Sequence, residues 1–323
     1  MQKRFRVFAA LLACSLLLTA CGKIESPAPS ENAFADYQTG DSAADSAQSI
    51  AISAGVKDND SMRFTYSGEP VAINYGVNAS DDCEVGLLIF LDGVLQSYKV
   101  DGQTTAMHTL DLKADTEQIF TLYLTPSLGE AGDTLRLNFV NVFDPTLKTA
   151  PAGGTVVFGN SHKFSQSMPW TLQMQAPANS AAPTISDGEK LVPMTDAQIQ
   201  SYLETDSRGN TRDARDTFQV ELLAGGENMA PLYTLQEQNE MELRLYANTA
   251  QTYRVCLLAD FTTLLPINGA QYVDVEVQKD SYSVIDLSFD RSELEPYTNL
   301  FAVAVALSTD DGVYKTSSVC LVK

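Results

Sequence analysis

The chain holds two histidines, His108 and His162, and they fall in different segments. A serine nucleophile needs a base beside its hydroxyl, and neither histidine is flanked by a motif that supplies one. No His-x-x-x-His, His-Glu-x-x-His or Cys-x-x-Cys spacing occurs. A zinc centre takes three or four nitrogen or sulfur ligands, so no metal site is expected. Phosphate-loop and nucleophile-elbow patterns are also missing. Glycoside hydrolysis asks for less, only two carboxylates about 5–10 Å apart. With 41 acidic residues such pairs arise by chance, so this chemistry stays open while a non-enzyme is the plainer reading. A sugar cleft also uses aromatic platforms, and Trp170 is the single tryptophan. It borders a strand-like stretch and reads as core or rim packing, with an exposed platform as the sharper alternative. Asp58-Asn59-Asp60-Ser61, Asp81-Asp82 and Asp310-Asp311-Gly312 look like fragments of Ca²⁺ loops, but none completes the twelve-residue pattern. They read as polar turns. No cofactor is expected, with Ca²⁺ the minor alternative.

Charge narrows the partners. Forty-one acidic and 21 basic residues give a net charge of −20. Phosphate backbones and anionic lipid surfaces repel such a chain, which excludes nucleic-acid binding and adsorption through a basic face. A 44% hydrophobic content is enough for a packed core.

The N-terminus carries an address. Lys3, Arg4 and Arg6 precede an apolar run, Val7–Leu18, that is too short to span a bilayer comfortably. The run ends in Leu18-Thr19-Ala20-Cys21 followed by Gly22. This resembles the lipobox of bacterial lipoprotein precursors. The resemblance implies cleavage after residue 20, acylation of Cys21, and a mature protein held on the extracytoplasmic face of the cell membrane. Two or three acyl chains anchor stably where one is marginal. Residues 21–60, rich in Ser, Ala, Asp and Pro, then read as a disordered acidic tether.

The body reads as a duplication. Val71–Gly93 slides by 170 onto Met241–Thr263, so that Val71 meets Met241 and Leu87 meets Leu257. Leu110–Ser127 slides by 165 onto Val275–Ser292, and the block from Leu135 matches that from Phe301 at 166. Apolar alternation in Val71–Val77, Leu135–Phe139 and Met241–Leu245 has the period of half-buried strands. Turn signals such as Asp92-Gly93 and Asp101-Gly102 separate the runs. The expected fold is all-β: two tandem, internally duplicated antiparallel β-sandwiches at 61–176 and 194–323, immunoglobulin-like or fibronectin-III-like in strand pattern. A linker fills 177–193, and a short interdomain helix, Thr195–Glu204, is capped by Thr195 or Asp196.

The repeats differ most after the third block. There the first repeat inserts Asp144–Met168 with Lys148, Phe158, His162 and Lys163, which together with Trp170 form the candidate ligand-binding loop. Arg208, Arg212 and Arg215 cluster amid aspartates and are a candidate partner contact, with a self-paired charge run as the plain alternative. Alternation points Cys256 and Cys320 to one face, which makes them a candidate disulfide. The functional expectation is a lipid-anchored envelope protein that binds protein or glycan, or acts as a spacer. An extracellular hydrolase or accessory carbohydrate-binding lipoprotein is the alternative. A solute-binding lipoprotein fits less well, because helical periodicity is scarce.

Overall fold

The computed structural model describes residues 50–148, 158, 161–188, 190–205, 211–235, 240–307 and 312–323. The first sandwich is built from β1 (Ile52–Val56), β2 (Arg63–Tyr66), β3 (Val71–Ala79), β4 (Cys83–Leu91), β5 (Val94–Leu95), β6 (Tyr98–Val100), β7 (Gln103–Thr105), β8 (His108–Leu112), β9 (Gln118–Leu124), β10 (Thr134–Phe143), β11 (Phe164–Gln166) and β12 (Trp170–Met174). One sheet has the order β1-β3-β9-β6-β7, the other β2-β12-β10-β4-β5 with β8 on β4 and β11 on β10.

The second sandwich follows with β13 (Ile185–Asp187), β14 (Lys190–Pro193), helix α1 (Asp196–Ser201), β15 (Leu203–Thr205), β16 (Thr211–Asp213), β17 (Gln219–Ala224), β18 (Glu227–Asn228), β19 (Leu232–Thr234), β20 (Met241–Tyr246), β21 (Gln251–Ala259), β22 (Thr263–Leu265), β23 (Tyr272–Val277), β24 (Ser281–Leu287), β25 (Tyr297–Ala306), β26 (Val313–Lys315) and β27 (Val319–Val322). Its sheets are β14-β24-β20-β17-β18 and β13-β23-β21-β25-β27-β19. Both sandwiches are immunoglobulin-like. In each, a short early strand, β2 or β19, pairs parallel with the last strand, β12 or β27. An earlier strand, β1 or β17, pairs antiparallel with the opposite sheet.

The duplication holds, but two of its three sequence registers shift. Asp92 and Asp260 close β4 and β21 with positive φ and the same two bonds, the Asp amide donating to the Arg136 or Asn299 carbonyl and the Arg136 or Asn299 amide donating to the Asp carboxylate, so the first block sits at an offset of 168 rather than 170. Cys83 faces Leu112 and Gln251 faces Val277, which keeps the second block at 165. Leu91 faces Leu137 and Ala259 faces Leu300, which sets the last block at 163 rather than 166. That three-residue slip is odd, and an odd slip turns every inner side chain outward. Leu135 packs inside the first sandwich, whereas Phe301 points out of the second.

The boundaries also move. Residues 52–56, expected in the tether, pair with β3 as β1, and Ile50 and Ile52 pack on the first core. The expected linker 177–193 contains β13 and β14, which pair with β23 and β24. Ala178 donates its amide to Gly129 O, and the Thr184 amide donates to Gln271 Oε1. Only Asn179–Pro183 runs between these anchors. These strands were hidden because they are short and lie at sheet edges, where one apolar residue in two suffices. Helix α1 ends earlier than expected, at Ser201. Thr195 caps it through a reciprocal box with Gln198, and Leu203 leaves for the β15–β16 hairpin.

Each sandwich closes its own core. Ile73, Leu87, Phe139 and Leu172 fill the first, and Leu243, Leu257, Val275 and Leu300 the second. A third cluster joins them: Leu88, Phe90, Val140, Val142 and Phe164 of the first sandwich meet Cys256, Leu258, Phe261, Phe301, Val303 and Val305 of the second. The sheet containing β4 and β10 thus lies against the sheet containing β21 and β25. β4 and β25 are apolar on both faces, so Val85–Leu91 reads VGLLIFL and Leu300–Ala306 reads LFAVAVA, while β10 adds Arg136 and Asn138 and β21 adds Arg254 to the facing surfaces.

Candidate functional site: the joint between the sandwiches

The candidate ligand-binding loop, Asp144–Met168, is described at residues 144–148, 158 and 161–168. Its described residues close over one end of the joint. Lys148 Nζ lies 3.0 Å from Asp260 Oδ2 in the second sandwich. The carbonyl of Leu147 accepts a hydrogen bond of 3.0 Å from Asn299 Nδ2, and His162 Nε2 lies 3.1 Å from the same oxygen. Because a carbonyl only accepts, Nε2 carries the proton and Nδ1 is left a bare lone pair. The imidazole is 1% exposed. It packs between Phe158, with ring centroids 4.9 Å apart, and Phe261 of the second sandwich, met edge-on at 5.0 Å. Burial, helped by the nearby Lys315 ammonium, pushes its pKa down to about 4. Its backbone takes φ +66°, a region that costs a side-chain-bearing residue about 1–2 kcal/mol; the ring's contacts hold it there. Lys163, its neighbour, is partly buried.

Lys315 on β26 faces the same joint. Its ammonium donates to Thr316 O at 2.9 Å and Ser318 Oγ at 3.3 Å and lies over the rings of Phe164 and Phe301. No carboxylate pairs with it among the described residues, and burial lowers its pKa to about 7. At the opposite end Arg136 Nη1 donates to Ala306 O (2.9 Å), and Arg254 Nη1 donates to Asp92 O (2.9 Å) while its guanidinium forks onto Asp274. Gly93, at φ +78°, lies against the Arg254 stem with no room for a Cβ. The Leu95 amide donates to the Tyr272 hydroxyl at 3.1 Å.

The other expected site residues are scattered. Trp170 is packed, 8% exposed and stacked on Phe64 at 5.2 Å, so it is not a ligand platform. Arg215 is 4% exposed. It is bound at 2.6 Å by Asp213 and at 2.9 Å by Asp280. Arg215 holds the Asp213 carboxyl down to about 2 and is an internal tie rather than a partner contact. Arg212 is exposed on β16 opposite Glu204. Arg208 and the acylation candidate Cys21 lie outside the described residues.

Cys256 and Cys320 are not bonded. They face Val303 and Asn299 from opposite sides of β25. Two strand spacings of about 4.8 Å and four residues of about 3.4 Å set them roughly 16 Å apart, beyond the disulfide limit of about 7 Å between Cα atoms. His108 packs on Phe120 at 5.0 Å and lines a hollow of about 330 Å³ with Asp101 and Met107. Of the Ca²⁺-like fragments, Asn59 Oδ1 accepts from Ser61, and Asp82 accepts from Lys113 Nζ and the Ala114 amide, which makes both of them turns.

What the sequence reading missed is Lys315, Asn299, Phe261 and Asn138, the residues that complete the joint. The uninterrupted apolar runs of β4 and β25 were the available signal.

No family model matches the chain, and no curated protein matches it. Among solved structures it is similar to a protein of unknown function from Porphyromonas gingivalis W83, with 8% identity, 85% of this chain and 99% of that one covered, and a TM-score of 0.22. It is similar also to the E. coli chaperone DraB (9%, 84% and 95%, 0.24). A third is the CsuC–CsuE chaperone–tip adhesion subunit pre-assembly complex of Acinetobacter baumannii (12%, 79% and 94%, 0.19). At these scores the likenesses carry no functional argument; the fold assignment rests on strand order and register.

Proposed function

We propose that the chain is a lipid-anchored, extracytoplasmic envelope protein whose two immunoglobulin-like sandwiches act as one head, binding a protein or glycan or setting a distance from the membrane. The apolar joint carries this reading. Tandem domains that only share a linker move independently, whereas here fifteen buried apolar residues unite the two sheets. A head of that kind keeps a fixed geometry between a surface on one sandwich and a surface on the other. The lipobox pattern at Leu18–Cys21 supports the anchor, and the charge of −20 favours partners other than nucleic acid.

Two measurements test it. Cells fed an alkyne fatty acid are expected to label the full-length chain, and Cys21→Ser is expected to abolish both label and membrane retention; labelling that survives the substitution sinks the anchor. Cross-linking of the lipidated protein in intact cells is expected to capture one envelope protein or wall glycan reproducibly. Turnover of a polysaccharide by the purified chain would instead make it a hydrolase.

A further inference from the structure

The joint holds buried polar atoms with no partner among the described residues: both amide atoms of Asn138, Nδ1 of His162 and Oδ1 of Asn299. All three side chains are 1% exposed. Asn138 stands opposite Phe90 on the face of β10 that also presents Val140 and Val142 to the joint. Such atoms cost free energy when dry and regain it when water reaches them. The inner core of the first sandwich treats its polar groups differently. There Asn141 and the Tyr75 hydroxyl bond each other, and the Tyr98 hydroxyl donates to Leu87 O. We propose that the joint is a separable latch closed over His162, and that protonation of the His162 ring opens it without unfolding either sandwich.

The geometry gives the mechanism. Nδ1 is the only site on the ring left to protonate, and the new N–H would point into a buried setting with no acceptor bonded to it. The ring faces the Leu147 carbonyl and Phe158 from its own loop and Phe261 from the β21–β22 turn. The charged groups at this end are Lys315 on β26, the Lys148–Asp260 pair, Asp144 beneath Ser161, and Lys163, the next residue along the chain. Lys315 is the cation acting on the ring, and among the described residues the Asp260 carboxylate is taken by Lys148 and that of Asp144 by Ser161 Oγ and the Glu84 amide. A second positive charge here is therefore repelled as well as desolvated.

The sign follows from linkage. Open, the imidazole titrates near 6.5; closed, near 4. The open state therefore binds the extra proton first as pH falls below 6.5, and the loss of closure is complete below 4. The closed-to-open ratio is expected to fall about 300-fold across that window. Lys315, near 7 when closed, is largely protonated in both states below pH 6 and adds little slope there, while between pH 7 and 6 it acts in the same direction as His162. Asp92, raised by burial at the opposite end, weakly opposes the trend.

Cys256 supplies a native reporter. It is 1% exposed and lies in the joint, whereas Cys83 is half-buried on the rim of the first sandwich. The full chain would be treated at pH 7, 6, 5 and 4 with 4,4′-dithiodipyridine, which reacts with thiols in acid. Peptide mass spectrometry would give labelling at Cys256 relative to Cys83, and circular dichroism would follow the sheet signal. The expected result is a rise of about two orders of magnitude at Cys256 with the sheet signal intact, abolished in His162→Gln. Continued protection at pH 4, or the same acid rise in His162→Gln, overturns the latch. Should that variant lose its sheet signal, Phe261→Leu hydrates the ring instead and is expected to move the midpoint above that of the wild type; an unmoved midpoint also overturns it.

Discussion

The inner cores and the joint are both apolar and both dry, yet they treat polar groups in opposite ways. Inside the first sandwich Asn141 sits on β10 facing Tyr75, and each satisfies the other. Three residues earlier on the same strand, Asn138 faces the second sandwich with neither amide atom bonded. The same residue type on one strand is thus structural on one face and a liability on the other. Closing a core selects for satisfied polar groups, because that core never opens in the native state. A surface that closes against another folded body can keep polar groups that water satisfies when it opens. The comparison separates what stabilises each sandwich from what couples the two.

The largest effect that could break this distinction lies in a core. Phe139→Ala removes a fully buried ring stacked on Tyr75 and is expected to cost about 3–5 kcal/mol. Urea denaturation should show the first sandwich unfolding ahead of the second. Phe301→Ala is the matching change in the joint, where the ring touches Phe164 and Phe261. A loss of about 2–4 kcal/mol of coupling is expected, read as one cooperative transition splitting into two with each sandwich's own midpoint nearly kept. If instead one sandwich collapses, the joint is a core after all.

The two asparagines give a smaller and sharper contrast. Asn138→Leu removes two unpartnered atoms and is expected to stabilise the closed form by about 1–2 kcal/mol. Asn141→Leu strands the Tyr75 hydroxyl and should destabilise by about 1–3 kcal/mol. Thermal melts of the pair with the same sign would remove the distinction. The smallest effect is the alkaline slope from Lys315. Its amine titrates near 7 when closed and in the ordinary lysine range when open, so closure should strengthen as pH rises from 7 towards 10. Lys315→Met should flatten that slope.

Much of the fold was legible from local pattern. Alternation at Val71–Val77 and Met241–Leu245 marks β3 and β20, because a strand with one wet face must alternate. The Asp92-Gly93 turn has positive φ at both residues, 41° and 78°, as the hairpin requires. Thr195 caps the helix through a bond to an amide three residues away. The second register, 165, holds because the positive-φ turns at Asp115 and Asp280 join their strands with equal length. The candidate site was hardly legible. His162 was singled out, but as a loop residue awaiting a ligand, when the partner it meets is Phe261 nearly a hundred residues away.

Local composition and periodicity therefore determined the β architecture, the duplication, the capped helix and the N-terminal address pattern, since each depends on neighbours along the chain. Only the tertiary structure decided which outward faces are dry. It brought the β4–β10 sheet against the β21–β25 sheet, turned Arg215 inward onto Asp280, and set Cys256 and Cys320 two strands apart. The first and last registers, 168 and 163, also had to come from strand pairing, because loops of unequal length shift one apolar pattern against another while leaving the period unchanged. A buried outer face is a property of two surfaces meeting, and the energy that selects it depends on side chains some two hundred residues apart.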